Sequence, residues 1–315
     1  MKPLYDPLEM KRLKEKGGMV HPRFGDLGRT DSVTMPALSG PHGDYEEKPF
    51  QFIHLSVTGR CNARCAGCIN GMTLEGDRES GGRPALPETL PVRDAKAVRL
   101  LLGRAIGKGA VLCLYGGEPL VALGKVEEIW RELRRDQGPG PRLMLYTNGQ
   151  LLSEAVASSS EVMSKIWLFS VSIDGKEAQH NSIRIGTDLA KIRKGLAELK
   201  AVRQGPALMW STLREGQSLF DCFEEFLKLK DDGCVEHFFW HWIETREVLR
   251  DLGEYAARYE EDLRHIMDVF CEASSAGELL SIVHINELLL YLLTGRTRKT
   301  TGCGVEVEGN YDIMG

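Results

Sequence analysis

The segment FIHLSVTGRCNARCAGC, residues 52–68, joins a short apolar run to a loop that carries three cysteines. The run Phe52–Val57 has the length and composition of a buried strand. Cys61, Cys65 and Cys68 follow at spacings of four and three residues, so three thiols project from one tight loop and can converge on one centre. The segment therefore predicts a strand with a thiol site just beyond its carboxyl end.

From this strand onward, short apolar segments alternate with longer stretches of 3.6-residue periodicity, which is typical of repeated βα units. Six strands are predicted, at Phe52–Val57, Val111–Tyr115, Leu143–Tyr146, Trp167–Ile173, Ala207–Thr212 and His237–Ile243. Helices are predicted at Arg93–Ile106, Lys125–Arg135, Glu154–Ile166, Asp188–Val202, Leu219–Lys230, Glu254–Ser275 and Asn286–Leu293. Six units are too few for a closed eight-stranded barrel, so we expect an α/β fold, a partial (β/α)6 TIM-like barrel with its active site at the carboxyl ends of parallel strands.

The same pattern predicts three regions along the chain. Residues 1–50 hold many prolines and glycines and are expected to form an irregular N-terminal extension with one short helix near Leu8–Lys16. Residues 51–280 form the barrel, and residues 281–315 form a C-terminal helix followed by a tail.

Composition narrows the class of protein. The chain has 315 residues, with 45 acidic and 40 basic side chains and 42% hydrophobic residues, as in an ordinary globular protein. Its formal charge of −5 gives no reason to expect a nucleic acid partner. No apolar run reaches the roughly 18 residues of a membrane span, and the N-terminus lacks the apolar core of a secretory signal. A reducing, cytoplasmic location is therefore predicted, in which thiols are free, metal-bound or catalytic.

The three clustered thiols suit two kinds of metal site. Structural zinc usually has a fourth protein ligand, and no histidine lies within 15 residues downstream of Cys68, although His54 lies on the strand before it. An iron–sulfur cubane held by three cysteines keeps one iron without a protein ligand and therefore open for chemistry. Four other cysteines are predicted to be core thiols: Cys113, Cys222, Cys234 and Cys271.

Two motifs together resemble the radical S-adenosylmethionine (SAM) superfamily. Cys61–Cys68 matches its C-x3-C-x2-C loop, and Tyr115–Pro119 is similar to its G-G-E-P element at the end of the second strand. The resemblance implies a barrel of the radical SAM type with a [4Fe-4S] cluster on Cys61, Cys65 and Cys68. It also implies that SAM binds beside the G-G-E-P element, formed by Gly116, Gly117, Glu118 and Pro119.

A third motif resembles the SPASM-type, peptide-modifying subgroup of that superfamily. Ser170–Gly175 is followed by His180 and Arg184, similar to the pattern S-x-D-G…H-x3-R. By this resemblance Ser172, Asp174 and Arg184 contact the ribose or the carboxylate of SAM. A guanidinium suits a carboxylate because its forked donors pair with both oxygens.

Three further features bear on the resemblance. Thr147–Gly149 resembles the family's T-N-G turn, but Asn-Gly is also a common turn former, so a ligand role is not assigned to it. The position before the last cluster cysteine is often aromatic in the family and here is Gly67, so adenine packing is expected from Met209 or Trp210 instead. The tail around Cys303 resembles the opening of a SPASM extension, and no second cysteine follows it, which favours a truncated parent sequence.

The implied reaction is reductive cleavage of SAM to a 5′-deoxyadenosyl radical, which abstracts hydrogen from a substrate. The subgroup points to a ribosomally made peptide that is crosslinked or oxidised, with flavodoxin or ferredoxin as electron donor. Two alternatives remain open: a radical SAM enzyme acting on a small molecule or a protein side chain, and a non-catalytic iron–sulfur or zinc protein. No catalytic residue is predicted. On the sixth strand, His237, Phe239, His241 and Ile243 are expected on one face and Phe238, Trp240, Trp242 and Glu244 on the other.

Overall fold

The structure is a computed structural model that describes residues 51–68, 88–104, 110–135, 140–243, 250–294 and 310–313. The predicted N-terminal extension, its helix Leu8–Lys16, Glu244 and Cys303 lie outside these residues. The three predicted regions therefore stay predictions.

Six parallel strands follow one another in the sheet in the order of the sequence. They are β1 (Gln51–Thr58), β2 (Ala110–Gly116), β3 (Arg142–Thr147), β4 (Ile166–Ser172), β5 (Ala207–Leu213) and β6 (His237–Trp242). Each strand pairs in parallel with the next one along the chain, and within the described residues β6 forms one edge of the sheet. The unclosed sheet with its helices confirms the predicted partial (β/α)6 barrel.

A seventh strand, β7 (Asn310–Ile313), lies beside β1 at the other edge of the sheet. Its four residues run parallel to β1, with Asn310 opposite Phe52 and Ile313 opposite Leu55. The sequence did not predict this strand, because four residues are too few to show a periodicity and their partner lies at the far end of the described chain.

Helices connect the strands on one side of the sheet. They are α1 (Pro91–Arg104), α2 (Leu123–Leu133), α3 (Leu152–Lys165), α4 (Glu177–Ile183), α5 (Leu189–Lys200), α6 (Leu219–Asp231), α7 (Leu252–Ser275) and α8 (Val283–Thr294). Side chains of Asp188, Ser218 and Asp251 accept hydrogen bonds from the first turns of α5, α6 and α7, and so fix where these helices begin. The seven-residue α4 and a 3-10 turn at Pro119–Ala122 were not predicted, because neither is long enough to show helical periodicity.

The two faces of the sheet have different surroundings. Side chains such as Leu55, Leu114 and Phe238 are fully buried in the main core, which the helices cover. The opposite face, which we call the inner face, holds a smaller cluster around Cys113 and Met144. Strand β6 alternates as predicted, since Phe238 and Trp240 are buried in the main core while Phe239 and His241 remain half-buried.

The other cysteines follow the core prediction with one exception. Cys113, Cys222 and Cys234 are buried, as predicted. Cys271 is exposed on α7, so its prediction as a core thiol was wrong: it falls on the solvent-facing side of an amphipathic helix. Among the described helices, none combines the length and the apolar composition needed to cross a membrane.

Candidate active site

The three clustered cysteines lie in the loop that follows β1, residues 59–68, which we call the cysteine loop. Cys61 is exposed, and Cys65 and Cys68 are partly buried. Partial burial raises the pKa of the Cys61 thiol, and the nearby Glu118, Cys65 and Cys68 raise it further, although the Ala63 amide counteracts them. Burial also raises the pKa of Cys65. The thiols of Cys61 and Cys65 are therefore close enough to other thiols to feel their charge, and a cationic partner would favour their thiolate forms.

The G-G-E-P element anchors the beginning of this loop. The Gly117 amide donates to the Thr58 carbonyl at 2.7 Å, and the Glu118 amide donates to the Arg60 carbonyl at 2.8 Å. A Cβ at Gly117 would collide with the Arg60 carbonyl, and one at Gly116 with the Thr58 carbonyl. Both glycines thus allow the end of β2 to approach the backbone that leads to the thiols.

Glu118 joins the G-G-E-P element to the T-N-G turn after β3. Its side chain is 1% exposed and accepts hydrogen bonds from the Asn148 amide at 2.7 Å, the Thr147 hydroxyl at 2.9 Å and the Leu120 amide at 3.0 Å. Burial raises the pKa of Glu118 to about 7, even though these three bonds favour the carboxylate. Two motifs that are separate in sequence therefore form one buried unit.

The T-N-G turn also contacts the cysteine loop directly. The side-chain amide of Asn148 donates to the Asn62 side-chain oxygen at 2.7 Å and lies 3.9 Å from the Cys61 sulfur. The sequence assigned no ligand role to this turn, and the structure shows that it holds the loop at its first cysteine.

Asp174, just beyond β4, collects four donors on its two oxygens. Arg184 donates to both, from Nε at 2.8 Å and from Nη2 at 3.1 Å, and Arg214 donates to Oδ2 at 2.9 Å. The Thr212 amide donates to Oδ1 at 2.9 Å. Burial alone would raise the pKa of Asp174, but the charges and bonds of these partners hold it below its usual value. Asp174 is therefore ionised and fully occupied by protein donors.

Both arginines that bind Asp174 also contact the cysteine loop. Nη1 of Arg184 lies 3.9 Å from the Cys65 sulfur, and Nε of Arg214 donates to the Ala66 carbonyl at 2.7 Å. Sequence reasoning missed Arg214. Its position directly after β5, at the edge where the carboxyl ends of parallel strands meet, was the available signal. We call Glu118, Asp174, Arg184 and Arg214 the rim network.

His180, the histidine of the third motif, has a structural role, because both of its ring nitrogens bind other residues of the chain. Its Nδ1 accepts from the Asp174 amide at 3.1 Å, and its Nε2 lies 3.1 Å from the Thr187 hydroxyl. Because an amide only donates, Nδ1 is unprotonated and Nε2 carries the proton. Burial is the main cause that lowers the pKa of His180 to about 4, so the ring is neutral and orients the turn that leads to Arg184.

The connection between α4 and α5 holds the middle of the cysteine loop. The amides of Arg64 and Ala66 donate to the carbonyls of Ile185 and Ile183, at 2.7 and 3.1 Å. Gly67 has a φ of +60°, and a Cβ there would collide with Ile243. The left-handed backbone at position 67 favours glycine over an aromatic residue, and the end of the Ile243 side chain lies where a Cβ would point.

The remaining predicted site residues divide between the two faces of the sheet. Ser172 and Trp210 are partly exposed and lie opposite each other in the β4–β5 ladder. Met209 is fully buried in the main core, so of the two expected adenine contacts only Trp210 lies on the inner face. Pro119 opens the 3-10 turn at the end of the G-G-E-P element.

The donor set fits an iron–sulfur cluster better than zinc. Across the described ranges, no three His, Cys, Asp or Glu side chains lie close enough to hold a single metal ion. A four-iron cluster takes each thiolate on a separate iron, so its ligands need not meet at one point. Three thiols on one loop, with neighbouring carboxylates already bonded elsewhere, match a cubane with one open iron.

Comparisons with known proteins identify the superfamily. The family model described as the Radical SAM superfamily matches residues 55–213. A GTP 3′,8-cyclase from Peptoclostridium acidaminophilum is 29% identical over 187 residues, which cover 59% of this chain and 53% of the relative. The chain thus spans about half the length of that curated relative.

Two solved structures share the fold at low sequence identity. One is anSMEcpe with bound AdoMet and Cp18Cys peptide, with a TM-score of 0.58 and 20% identity over 80% of this chain and 68% of that one. The other is Streptococcus suis SuiB bound to precursor peptide SuiA, with a TM-score of 0.50 and 12% identity over 87% of this chain and 60% of that one.

Proposed function

The chain belongs to the radical SAM superfamily, and we propose that its cysteine loop holds a [4Fe-4S] cluster at which SAM is cleaved. Membership confirms the predicted enzyme class and the predicted cofactor pair, a [4Fe-4S] cluster and SAM. When bound, this pair supplies a one-electron cleavage of SAM to a 5′-deoxyadenosyl radical, which takes a hydrogen atom from the substrate. The cofactor supplies the radical, and the chain supplies position and exclusion of water.

One observation carries the proposal: hydrogen bonds tie the cysteine loop to the segments that follow β2, β3, β4 and β5. Gly117 and Glu118, Asn148, Arg184 and Arg214 each contact this loop. We propose Cys61, Cys65 and Cys68 as the three cluster ligands. A loop fixed from four sides keeps its thiols in place while the cluster changes charge.

Some residues at the rim are proposed to contact SAM directly, and others are proposed to position the residues that do. We assign the amino group of SAM to the backbone at Gly116 and Gly117, with Glu118 and Pro119 fixing this turn. Arg184 is proposed to bind the carboxylate, because its Nη1 faces the cysteine loop while its other donors bind Asp174. Asp174 then positions Arg184 rather than contacting SAM, and the Ser172 hydroxyl on the inner face is assigned to the ribose.

The substrate is proposed to be a peptide, modified by crosslinking or oxidation. The two fold relatives whose structures contain peptides support this assignment. The similarity to a GTP 3′,8-cyclase supports the alternative, a small molecule. A flavodoxin or ferredoxin in the reducing cytoplasm is the proposed electron donor, and no nucleic acid partner is proposed.

The test is anaerobic reconstitution with iron and sulfide, followed by dithionite and SAM, with 5′-deoxyadenosine measured by chromatography. About four irons per chain are expected if one cubane forms. The matched control is Cys65→Ala. A wild-type chain that binds iron and produces no more 5′-deoxyadenosine than this control would contradict the proposed reaction. Iron content and the electron spin resonance of the reduced cluster report the site separately from turnover.

A further inference from the structure

The inner face carries a layer of aromatic rings below the rim network. Trp210 lies 4.4 Å from Phe239 between ring centroids, 5.4 Å from His241 and 5.8 Å from Tyr146. All four rings are half-buried, so each keeps exposed surface: Tyr146 lies in the middle of the sheet, Trp210 next to its edge, and Phe239 and His241 on the edge strand β6. We call these four residues the aromatic layer.

Trp210, the centre of the aromatic layer, lies opposite Ser172, the proposed ribose contact, and below the residues that bind Asp174. Trp210 precedes Thr212 by two residues and Arg214 by four, and the latter two bind Asp174 in the rim network. Two residues of strand correspond to about 6–7 Å. A group that rests on Trp210 therefore lies one layer below the cysteine loop, on the side where a substrate can follow the cofactor.

This part of the inner face carries no formal charge. Among the described residues of the six barrel strands, the inner-face side chains from Met144 to the carboxyl ends include no lysine, arginine, aspartate or glutamate. Arg142, on the same face of β3, lies at the opposite end of that strand and stacks over Trp167. The carboxylates and guanidinium groups of the rim network are bonded to one another or to the loops around them.

The same face also holds a buried hydroxyl without a partner in the described part of the chain. The Ser170 side chain is 1% exposed, and its hydroxyl has no hydrogen-bond partner within the described residues. It lies opposite Tyr146 of the aromatic layer in one ladder and opposite Leu208 in the other. An unpaired buried hydroxyl is unfavourable for the folded chain.

From these observations we infer that the aromatic layer is the specificity pocket for the substrate and accepts an uncharged aromatic side chain. The inference rests on the proposed function and names its substrate class. An incoming ring buries apolar surface against Trp210 and can adopt the edge or tilted geometry that the rings of the layer already show. A triphosphate or an ionised side chain would lose its hydration here without a counter-ion. The pocket therefore favours a peptide over GTP.

The probes are the blocked tripeptides N-acetyl-Gly-X-Gly-amide, with X as Trp, Leu, Lys or Glu, together with GTP. Binding to the full reconstituted chain is followed by saturation-transfer NMR titration. We expect the Trp peptide to bind about threefold more tightly than the Leu peptide, the size of one aromatic contact, and at least tenfold more tightly than the Lys peptide, the Glu peptide or GTP. Equal or tighter binding of the charged probes would overturn the inference.

Variants of Trp210 test whether this residue causes the preference for the Trp peptide. Trp210→Leu should abolish the preference for Trp over Leu, and Trp210→Phe should keep it. The matched control is Trp242→Leu, because Trp242 is 40% exposed and packs against Tyr255 and Tyr259 on the other side of β6. Urea unfolding of each variant shows that it is folded. A Trp210→Leu chain that loses affinity for SAM and keeps the peptide preference would overturn the inference and assign Trp210 to adenine.

Failure of the pocket and failure of the proposed reaction give different results. Production of 5′-deoxyadenosine without any aromatic preference overturns the pocket and leaves the reaction standing. Aromatic preference without 5′-deoxyadenosine supports the pocket and contradicts the reaction.

Discussion

The rim network and the aromatic layer are neighbours in the same barrel, and they differ in the charge of their side chains. The rim buries two carboxylates and two guanidinium groups, and every one of them has a bonded partner. The layer below has rings with exposed surface and a serine hydroxyl without a partner among the described residues. In the proposed function the rim holds a charged cofactor in place, whereas we infer that the layer below contacts an uncharged substrate.

The largest effect is expected at the centre of the rim. Asp174→Asn removes the charge that pairs with Arg184 and Arg214, and should lower the free energy of unfolding by about 3–5 kcal/mol because two partly buried cations lose their counter-ion. Urea titration measures this loss. The matched control is Glu154→Gln, which breaks an exposed 2.8 Å pair with Lys191 and should cost less than about 1 kcal/mol. Equal losses in the two variants would show that the rim pair is no more important than a surface pair.

Glu118 gives the rim a pH dependence. Its pKa is about 7 in the folded chain and has a reference value of 4.5, so between these values the folded state binds more protons. The free energy of unfolding should therefore fall as pH rises, by about 2.5 kcal/mol between about pH 5 and pH 8.

Glu118→Gln isolates this contribution, because glutamine does not titrate. His180 titrates equally in both chains, so the difference between wild type and variant reports Glu118. Urea unfolding at a series of pH values is the measurement. Parallel stability curves for the two chains would refute the assignment.

The next effect concerns the close approach of backbone at the rim. Gly117→Ala places a Cβ against the Arg60 carbonyl and should destabilise the chain by about 1–3 kcal/mol, because a backbone atom must move. Iron retained after reconstitution should fall as well. Gly124→Ala is the control: nothing lies within 4 Å of its Cβ in α2, and it should stabilise by about 0.5–1 kcal/mol. Thermal unfolding measures the stability of both variants. A Gly117→Ala chain as stable as the wild type would contradict the packing argument.

The smallest effect is expected in the layer below. Ser170→Ala deletes an unpaired buried hydroxyl, so the free energy of unfolding should stay the same or rise by up to about 1 kcal/mol. Ser211→Ala deletes a buried hydroxyl that donates to the Ile173 carbonyl at 2.5 Å, and should cost about 1 kcal/mol. The two serines thus compare an unused and a used hydroxyl in adjacent strands. A clear loss in Ser170→Ala would mean that its hydroxyl is already bonded.

Most of the barrel could be predicted because its signals are local. The strand predicted at Ala207–Thr212 is observed at Ala207–Leu213, and the one predicted at His237–Ile243 is observed at His237–Trp242. A period of two or 3.6 residues is set by neighbours a few positions away, and it can be read without knowing the fold. The short α4 and β7 escaped because neither repeats its pattern long enough.

The candidate site was predictable as a set of motifs but not as a network. Nothing in the spacing of Glu118 and Asn148 shows that the first buries its carboxylate against the backbone of the second. Arg214 has no motif, and it joins the site only because β5 ends beside β4. Cys271 was predicted wrongly for a related reason. Cysteine is a residue type that is usually buried, but the position of Cys271 on its helix exposes it to solvent.

The sequence by itself determined the order of strands and helices, the loop with three thiols and the glycines that follow β2, because each depends on residues close together in the chain. Only the tertiary structure decided that Asp174 forms ion pairs with the two arginines and that Gly67 faces Ile243. It also decided that an aromatic layer without Lys, Arg, Asp or Glu lies beneath the rim. These contacts join residues from different strands, helices and loops. The parallel sheet brings them together, and no periodicity or spacing along the chain encodes which side chains will meet there.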